Sequence, residues 1–225
     1  MCGRFKLNAP FSELVRLYRL TNNVNLGARY NIAPTQQIAT VRVHEGQRTL
    51  DMLRWGLIPA WAKDKKIGYS TINAKAETIQ TAPVFRDAFR SKRCLILADG
   101  FYEWKKLGPK EKQPYLFQMR DKSPFGFAGL WDSWRDRATN EVVESCTIIT
   151  TEANKLCEPI HNRMPVILYP EDHPMWLGEE PAMPDHLHDL LVPYDAEQME
   201  AVRIGPRVGN VKHDDADLVT PMNSA

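Results

Sequence analysis

The chain opens Met1-Cys2-Gly3-Arg4-Phe5, and a small side chain at the second position permits removal of the initiator methionine. The product would be an N-terminal cysteine with a free α-amine, a 1,2-aminothiol. Its amine titrates at about 7.7–8.0 and its thiol at about 8.5 in an unperturbed setting, so both nucleophiles are available close to neutral pH. The amine can attack an aldehyde to give an imine, and the adjacent thiol can then close a five-membered thiazolidine, a step favoured by proximity. Taken alone, Cys2 reads more simply as an incidental second residue in a frayed terminus.

Three further segments set polar residues among apolar ones, as loops at a site do. In Ile72-Asn73-Ala74-Lys75-Ala76-Glu77, Asn73 can orient a substrate or a terminal amine and Lys75 can meet a phosphate. An Asn in a turn ahead of a helix has the same appearance. In Ala98-Asp99-Gly100-Phe101-Tyr102-Glu103-Trp104-Lys105-Lys106, a glutamate between large aromatics is a candidate general acid or base with a raised pKa. Strand geometry would put Phe101 and Glu103 on one face and Tyr102 and Trp104 on the other. In Pro159-Ile160-His161-Asn162-Arg163-Met164-Pro165, His161 can move a proton near pH 7 while Arg163 holds a phosphate, although a solvated surface pair would read the same way.

Aromatic and basic residues gather in the stretch from Arg54 to Trp61 and in Trp104-Lys105-Lys106, a composition that suits stacking of unpaired bases beside a phosphate groove. Core tryptophans are the commoner use of such residues. No pattern matches a helix-turn-helix or a zinc finger, so duplex sequence reading is not expected. His186 and His188 are two apart on a predicted helix and do not share a face, so no metal site and no cofactor are expected.

These residues need a scaffold, and composition bounds it. The 225 residues carry 29 basic and 28 acidic side chains, a net charge of +1, so any nucleic-acid reading rests on where charge sits rather than on how much there is. Hydrophobic content of 43% fits one globular domain spanning 1–225, with a loose tail from about 213. Four cysteines in no framework, no signal peptide and no apolar run near the roughly 18 residues of a membrane span predict a soluble cytoplasmic monomer. Helical spacing marks Phe11 to Leu20. Alternation around Glu45-Gly46 marks a hairpin of Gln37 to His44 with Gln47 to Trp55. Further strands are expected at Arg93 to Ala98, Phe101 to Lys105, Tyr115 to Met119, Gly126 to Trp131, Val142 to Thr150 and Pro165 to Leu168. Helices are expected at Glu152 to Cys157, Glu171 to Leu177 and Asp185 to Leu191. The pattern is α+β.

Seven segments in order, Met1 to Phe5, Arg29-Tyr30-Asn31-Ile32-Ala33-Pro34, Arg54-Trp55-Gly56-Leu57-Ile58-Pro59, Asn73 to Glu77, Asp99 to Lys106, Ile160 to Pro165 and Val208-Gly209-Asn210-Val211-Lys212, resemble the SRAP family of SOS-response-associated peptidase or abasic site processing domains. The resemblance runs from residue 2 to about residue 212. It implies a twisted, barrel-like, mainly antiparallel sheet, a groove for single-stranded DNA, and covalent capture of abasic sites in the DNA damage response. Cys2 matches the thiazolidine-forming nucleophile, Asn73 the residue that orients the reacting group, Glu103 the acid/base carboxylate, and His161 the residue that helps open the deoxyribose ring. Arg4, Lys75 and Arg163 match DNA contacts, and Trp61 and Trp104 are the aromatics beside the DNA. Lys75 departs from the family's usual Arg, which keeps the charge but loses bidentate phosphate geometry. Association with the nucleoid and weak strand scission at abasic sites accompany this reading. Its rivals are a cysteine-type autopeptidase using a Cys2 thiolate with His161 as base, and a non-catalytic single-stranded DNA binding module indifferent to Cys2.

Overall fold

The computed structural model describes residues 2–222. Along the chain run β1 (Phe5–Leu7), α1 (Phe11–Tyr18), β2 (Arg29–Ile32), β3 (Gln37–His44), β4 (Gln47–Trp55), β5 (Asn73–Lys75), α2 (Arg86–Ser91), β6 (Arg93–Ala98), β7 (Gly100–Lys106), β8 (Lys112–Met119), β9 (Phe125–Arg135), β10 (Val142–Glu152), β11 (Arg163–Pro165), β12 (Ile167–Leu168), α3 (His173–Leu177), α4 (Pro184–Asp189) and β13 (Met199–Arg203). Short 3-10 turns join several of them.

The β3–β4 hairpin has the predicted limits. Glu45 and Gly46 at its tip take φ of 50° and 77°, the paired positive values of a two-residue turn whose twist matches the strands, and the register runs from Gln37↔Arg54 to His44↔Gln47. Helix α1 buries Leu14 and Tyr18, one turn apart, and stops short of Leu20 because Arg19 turns left-handed at φ 54° and its N–H closes on the Val15 carbonyl.

Strands β10, β4, β3, β6 and β9 pair in that order, and β9 returns to β10 to close a five-stranded barrel. Closure leaves no free edge among the five strands. All of Cys94, Leu95, Ile96, Leu97 and Ala98 in β6 are buried, without alternation, because both faces of that strand are covered. The fold is α+β, as expected, and its pairings are antiparallel except where β10 runs parallel to β4 and to β5. A second, antiparallel sheet in the order β13-β8-β7-β1-β2 lies against the barrel. Phe5 of β1 meets Trp55 edge-on at 5.2 Å and Phe127 at 5.8 Å, while Phe101 of β7 stacks on Phe117 at 5.0 Å. The N-terminal strand is thereby driven into the main core.

A buried pair fixes it there. Lys6 Nζ lies 2.7 Å from Asp99 Oδ1, and Asp99 Oδ2 accepts the N–H groups of Asn8 and Ala9, each at 2.7 Å. Past β4 the chain passes Gly68 so closely that a Cβ on Gly56 would lie 2.3 Å from the Gly68 carbonyl oxygen, at a φ of 118° open only to glycine. Gly56→Ala is expected to cost about 2–3 kcal/mol, which thermal denaturation would read as a Tm lower by roughly 5–10 °C.

Glu152 to Cys157 is not a helix. Strand β10 runs on through Glu152, which pairs with Arg163, and the Asn154 side chain then accepts the N–H groups of Leu156 and Cys157 at 3.1 and 3.0 Å. Those bonds give the backbone a turn in place of a helix start. Of the C-terminal tail, residues through 222 pack on the second sheet: Asp214 accepts the Asn31 N–H at 2.9 Å and Leu218 is buried. Residues 223–225 lie outside the described residues, as does Met1.

Candidate active site at the N-terminus

Two segments about 55 residues apart in the chain, Trp104-Lys105-Lys106 and Pro159-Ile160-His161-Asn162, form the walls of one open cleft of about 310 Å³. Cys2 is fully buried in the neighbouring core. Continuing the β1–β7 register, Phe5↔Phe101 and Lys6↔Gly100, toward the terminus sets Gly3 across from Glu103, and the Tyr102 N–H donates to the Arg4 carbonyl at 2.9 Å. The strand's two faces divide as its alternation predicts. Phe101 joins the main core that holds Cys2, while Tyr102 and Trp104 join a second cluster with Leu116, Ile204, Val208 and Leu218. Glu103 therefore points to the Cys2 side.

Asn73 reaches the same place from β5. That strand runs parallel to β10, with Ile148↔Asn73, and Asn73 Nδ2 donates to the Cys2 carbonyl at 2.8 Å. Asn73 Oδ1 is buried without a hydrogen-bond partner among the described residues, an acceptor with unused capacity beside Cys2.

Burial sets the electrostatics. Glu103 is 5% exposed, and loss of solvent pushes its carboxyl up to about 7, so it exchanges a proton near neutral pH. Burial also pushes the Cys2 thiol up, and the Glu103 charge adds to the effect. The thiol is thus held protonated until a base removes its proton. Burial lowers the His161 pKa. Its Nδ1 lies 3.1 Å from the Arg163 backbone nitrogen and 3.3 Å from the Arg163 carbonyl oxygen, so the Arg163 backbone holds the ring in either tautomer.

The residues assigned to DNA fall into two groups. Lys75 is exposed at the end of β5, and Trp104 lines the cleft half-buried. Arg4 and Arg163 already have internal partners. Arg4 Nη1 donates to Asn31 Oδ1 at 2.8 Å and to the Val208 carbonyl at 2.7 Å, and its guanidinium lies 5.8 Å from the Trp104 ring centre. Arg163 forms a fork with the Glu77 carboxylate, with Nη2 2.9 Å from Oε2, and donates to the Thr150 carbonyl at 2.7 Å. A phosphate at Arg163 has to displace Glu77. Trp61 is 56% exposed but stands apart, lining a separate cleft with Lys63, Trp134, Arg135 and Arg137.

Two residues carry more than their sequence suggested. Asn31 is fully buried, and its Nδ2 donates to the carbonyls of Asn210 (3.1 Å) and His213 (2.7 Å), which ties the Arg29 to Pro34 and Val208 to Lys212 segments to Arg4. Asn154 holds the loop that leads to His161: its Nδ2 donates to the Tyr194 carbonyl at 2.7 Å, its Oδ1 caps Cys157, and the Cys157 carbonyl accepts the His161 N–H at 2.9 Å. A side chain bonded mainly to backbone gives no periodic signal; only an Asn just after a strand hints at it. Asn154→Ala is expected to cost about 1–3 kcal/mol in urea denaturation.

Comparison with known proteins agrees with this architecture. The family profile described as SOS response associated peptidase (SRAP) matches residues 1–211. Abasic site processing protein YoqW of Bacillus subtilis is 45% identical over 222 residues, covering 97% of this chain and 99% of that protein. Abasic site processing protein YedK of Escherichia coli is 29% identical over 233 residues, covering 99% and 100%. A crystal structure of a protein from Bacteroides thetaiotaomicron superposes with a TM-score of 0.90 at 28% identity, covering 99% of this chain and 100% of that one. The N-terminal strand locked beside Glu103 is thus part of a scaffold shared over the whole chain, which belongs to the SRAP (SOS response associated peptidase) family.

Proposed function

We propose that this chain processes abasic sites in single-stranded DNA by capturing them covalently at Cys2. The observation that carries the reading is the meeting of Cys2, held through its carbonyl by Asn73, with a buried carboxyl that titrates near neutral pH. The relatives' names as abasic site processing proteins point the same way.

The abasic deoxyribose reacts as its ring-opened aldehyde. His161, its pKa lowered by burial and its Nδ1 held at the Arg163 backbone, exchanges the proton that ring opening requires. The Cys2 α-amine, freed when Met1 is removed, adds to the aldehyde carbon, and loss of one water gives the imine. The thiol then adds to the imine carbon and its proton passes to the ring nitrogen. Glu103 is the carrier: it protonates the departing hydroxyl and takes the thiol proton, which burial otherwise holds on sulfur. Reversal runs through the same carboxyl. The imine also acidifies the adjacent sugar carbon, so slow strand scission competes when the thiol is absent. Trp104 offers a base a stacking face, and Lys75 and Arg163 take flanking phosphates.

A peptidase working through a Cys2 thiolate is less well supported, because burial and the neighbouring Glu103 charge both disfavour the thiolate.

The test is to mix the methionine-free protein with an oligonucleotide carrying one abasic site and weigh the product. The expected species survives heat and denaturant without reductant, at the summed masses less one water. No adduct from protein with a verified Cys2 terminus would sink the proposal.

A further inference from the structure

Away from the N-terminal cleft lies a larger one of about 620 Å³, with no lining residue in common with it. Its walls come from the end of α1 (Tyr18), the β8–β9 turn (Arg120, Asp121), the segment after β12 (Tyr169, Glu171, His173) and Tyr194. Tyr169 and Tyr194 stack at 4.5 Å, and Tyr18 stacks on the His173 ring at 5.6 Å.

His173 is 4% exposed and its Nε2 is buried without a hydrogen-bond partner among the described residues, while the ring also hydrogen-bonds the Leu168 backbone. Burial holds the imidazole neutral, at about 4, so Nε2 is an acceptor lacking a donor. Two carboxylates, Asp121 and Glu171, line the cleft against one cation, Arg120, whose Nε is committed to the Glu197 carbonyl at 2.8 Å. Hydrogen bonds from Ser123 keep the Asp121 carboxyl ionised.

Aromatic faces, surplus negative charge and an orphaned neutral acceptor suit one class of ligand. We propose that this cleft binds a small organic cation bearing N–H donors, an alkylguanidinium or alkylammonium. Its charge lies against the tyrosine rings, Glu171 and Asp121 neutralise it, and one N–H satisfies His173 Nε2.

The experiment is titration of the full chain with agmatine at low ionic strength, followed by calorimetry and by backbone amide shifts. Tetramethylammonium serves as the cation without donors, and Glu171→Gln removes one exposed carboxylate without disturbing the core. Saturable agmatine binding is expected, with shifts centred on Ser123, Tyr169 and Tyr194. It should be roughly tenfold weaker in Glu171→Gln, and tetramethylammonium should also bind roughly tenfold more weakly. Absence of saturable binding, affinity unchanged in Glu171→Gln, or equal binding of the two cations would each overturn the assignment. None of these readouts involves DNA, so the result is independent of the function proposed for Cys2.

Discussion

Cys2→Ala, with its α-amine freed like that of the parent, is expected to lose the heat-stable DNA adduct by about 100-fold or more while still binding single-stranded DNA. The alanine amine forms the imine, but no thiol stands beside it to close the ring, and an imine in water hydrolyses. The gain from an intramolecular second nucleophile is large because its translational entropy is already spent, with effective molarities reaching roughly 10⁵ M or higher. The imine should be trappable with borohydride, and strand scission should rise because the competing ring closure is gone. Denaturing gels with and without reductant separate the outcomes. A heat-stable adduct that persists in Cys2→Ala without reductant would place the nucleophile elsewhere, and loss of DNA binding together with the adduct would show a structural defect rather than a chemical one.

Glu103→Gln should slow both formation and reversal of the adduct by roughly 10²- to 10³-fold, since the amide keeps the shape of the carboxyl but carries no exchangeable acid proton. The parent's rate should vary with pH around about 7, where the buried carboxyl titrates, and the variant's profile should lose that limb. Stability supplies a second readout with the opposite sign. Burial raises the folded-state pKa of Glu103 from its ordinary value of about 4.5 to about 7, so the folded protein holds this proton more tightly than the unfolded chain. Its contribution is fully present below about 4.5 and is lost as pH rises through about 7, a change on the order of 3 kcal/mol. Relative to the parent, Glu103→Gln should therefore gain thermal stability between pH 4.5 and 7 while losing activity. Parallel pH dependence of Tm in the two proteins would mean that the carboxyl is not held in the protonated state by the fold.

Local rules made much of this scaffold legible. The Glu45-Gly46 turn with alternating flanks gave the hairpin to the residue, because two positive φ values at a two-residue tip have few sequence solutions. Alternation also placed Glu103 on the Phe101 face, opposite Tyr102 and Trp104. Short strands were hidden. Phe5–Leu7, Asn73–Lys75 and Met199–Arg203 have three to five residues each, too few to show a period, and they exist because neighbouring strands receive them. The helix expected from Glu152 failed for the converse reason: Arg163, a partner distant in sequence, extends the strand, and Asn154 bonds the backbone locally.

By itself, the order of residues determined which chemistry was on offer: a cysteine at the second position, a carboxyl among aromatics, a histidine two residues before an arginine, and a polar amide in a small apolar segment. Tertiary structure alone decided which of these meet and in what state. It set Asn73 on the Cys2 carbonyl, buried Glu103 until its proton became exchangeable near neutrality, and anchored the His161 ring at the Arg163 backbone. It also committed Arg4 to Asn31 and Val208, engaged Arg163 with Glu77, and moved Trp61 to a different cleft. The reason is physical: residue type fixes the available protons and lone pairs, whereas pKa and pairing depend on solvent exclusion and on neighbours that only the folded chain brings within a few ångströms.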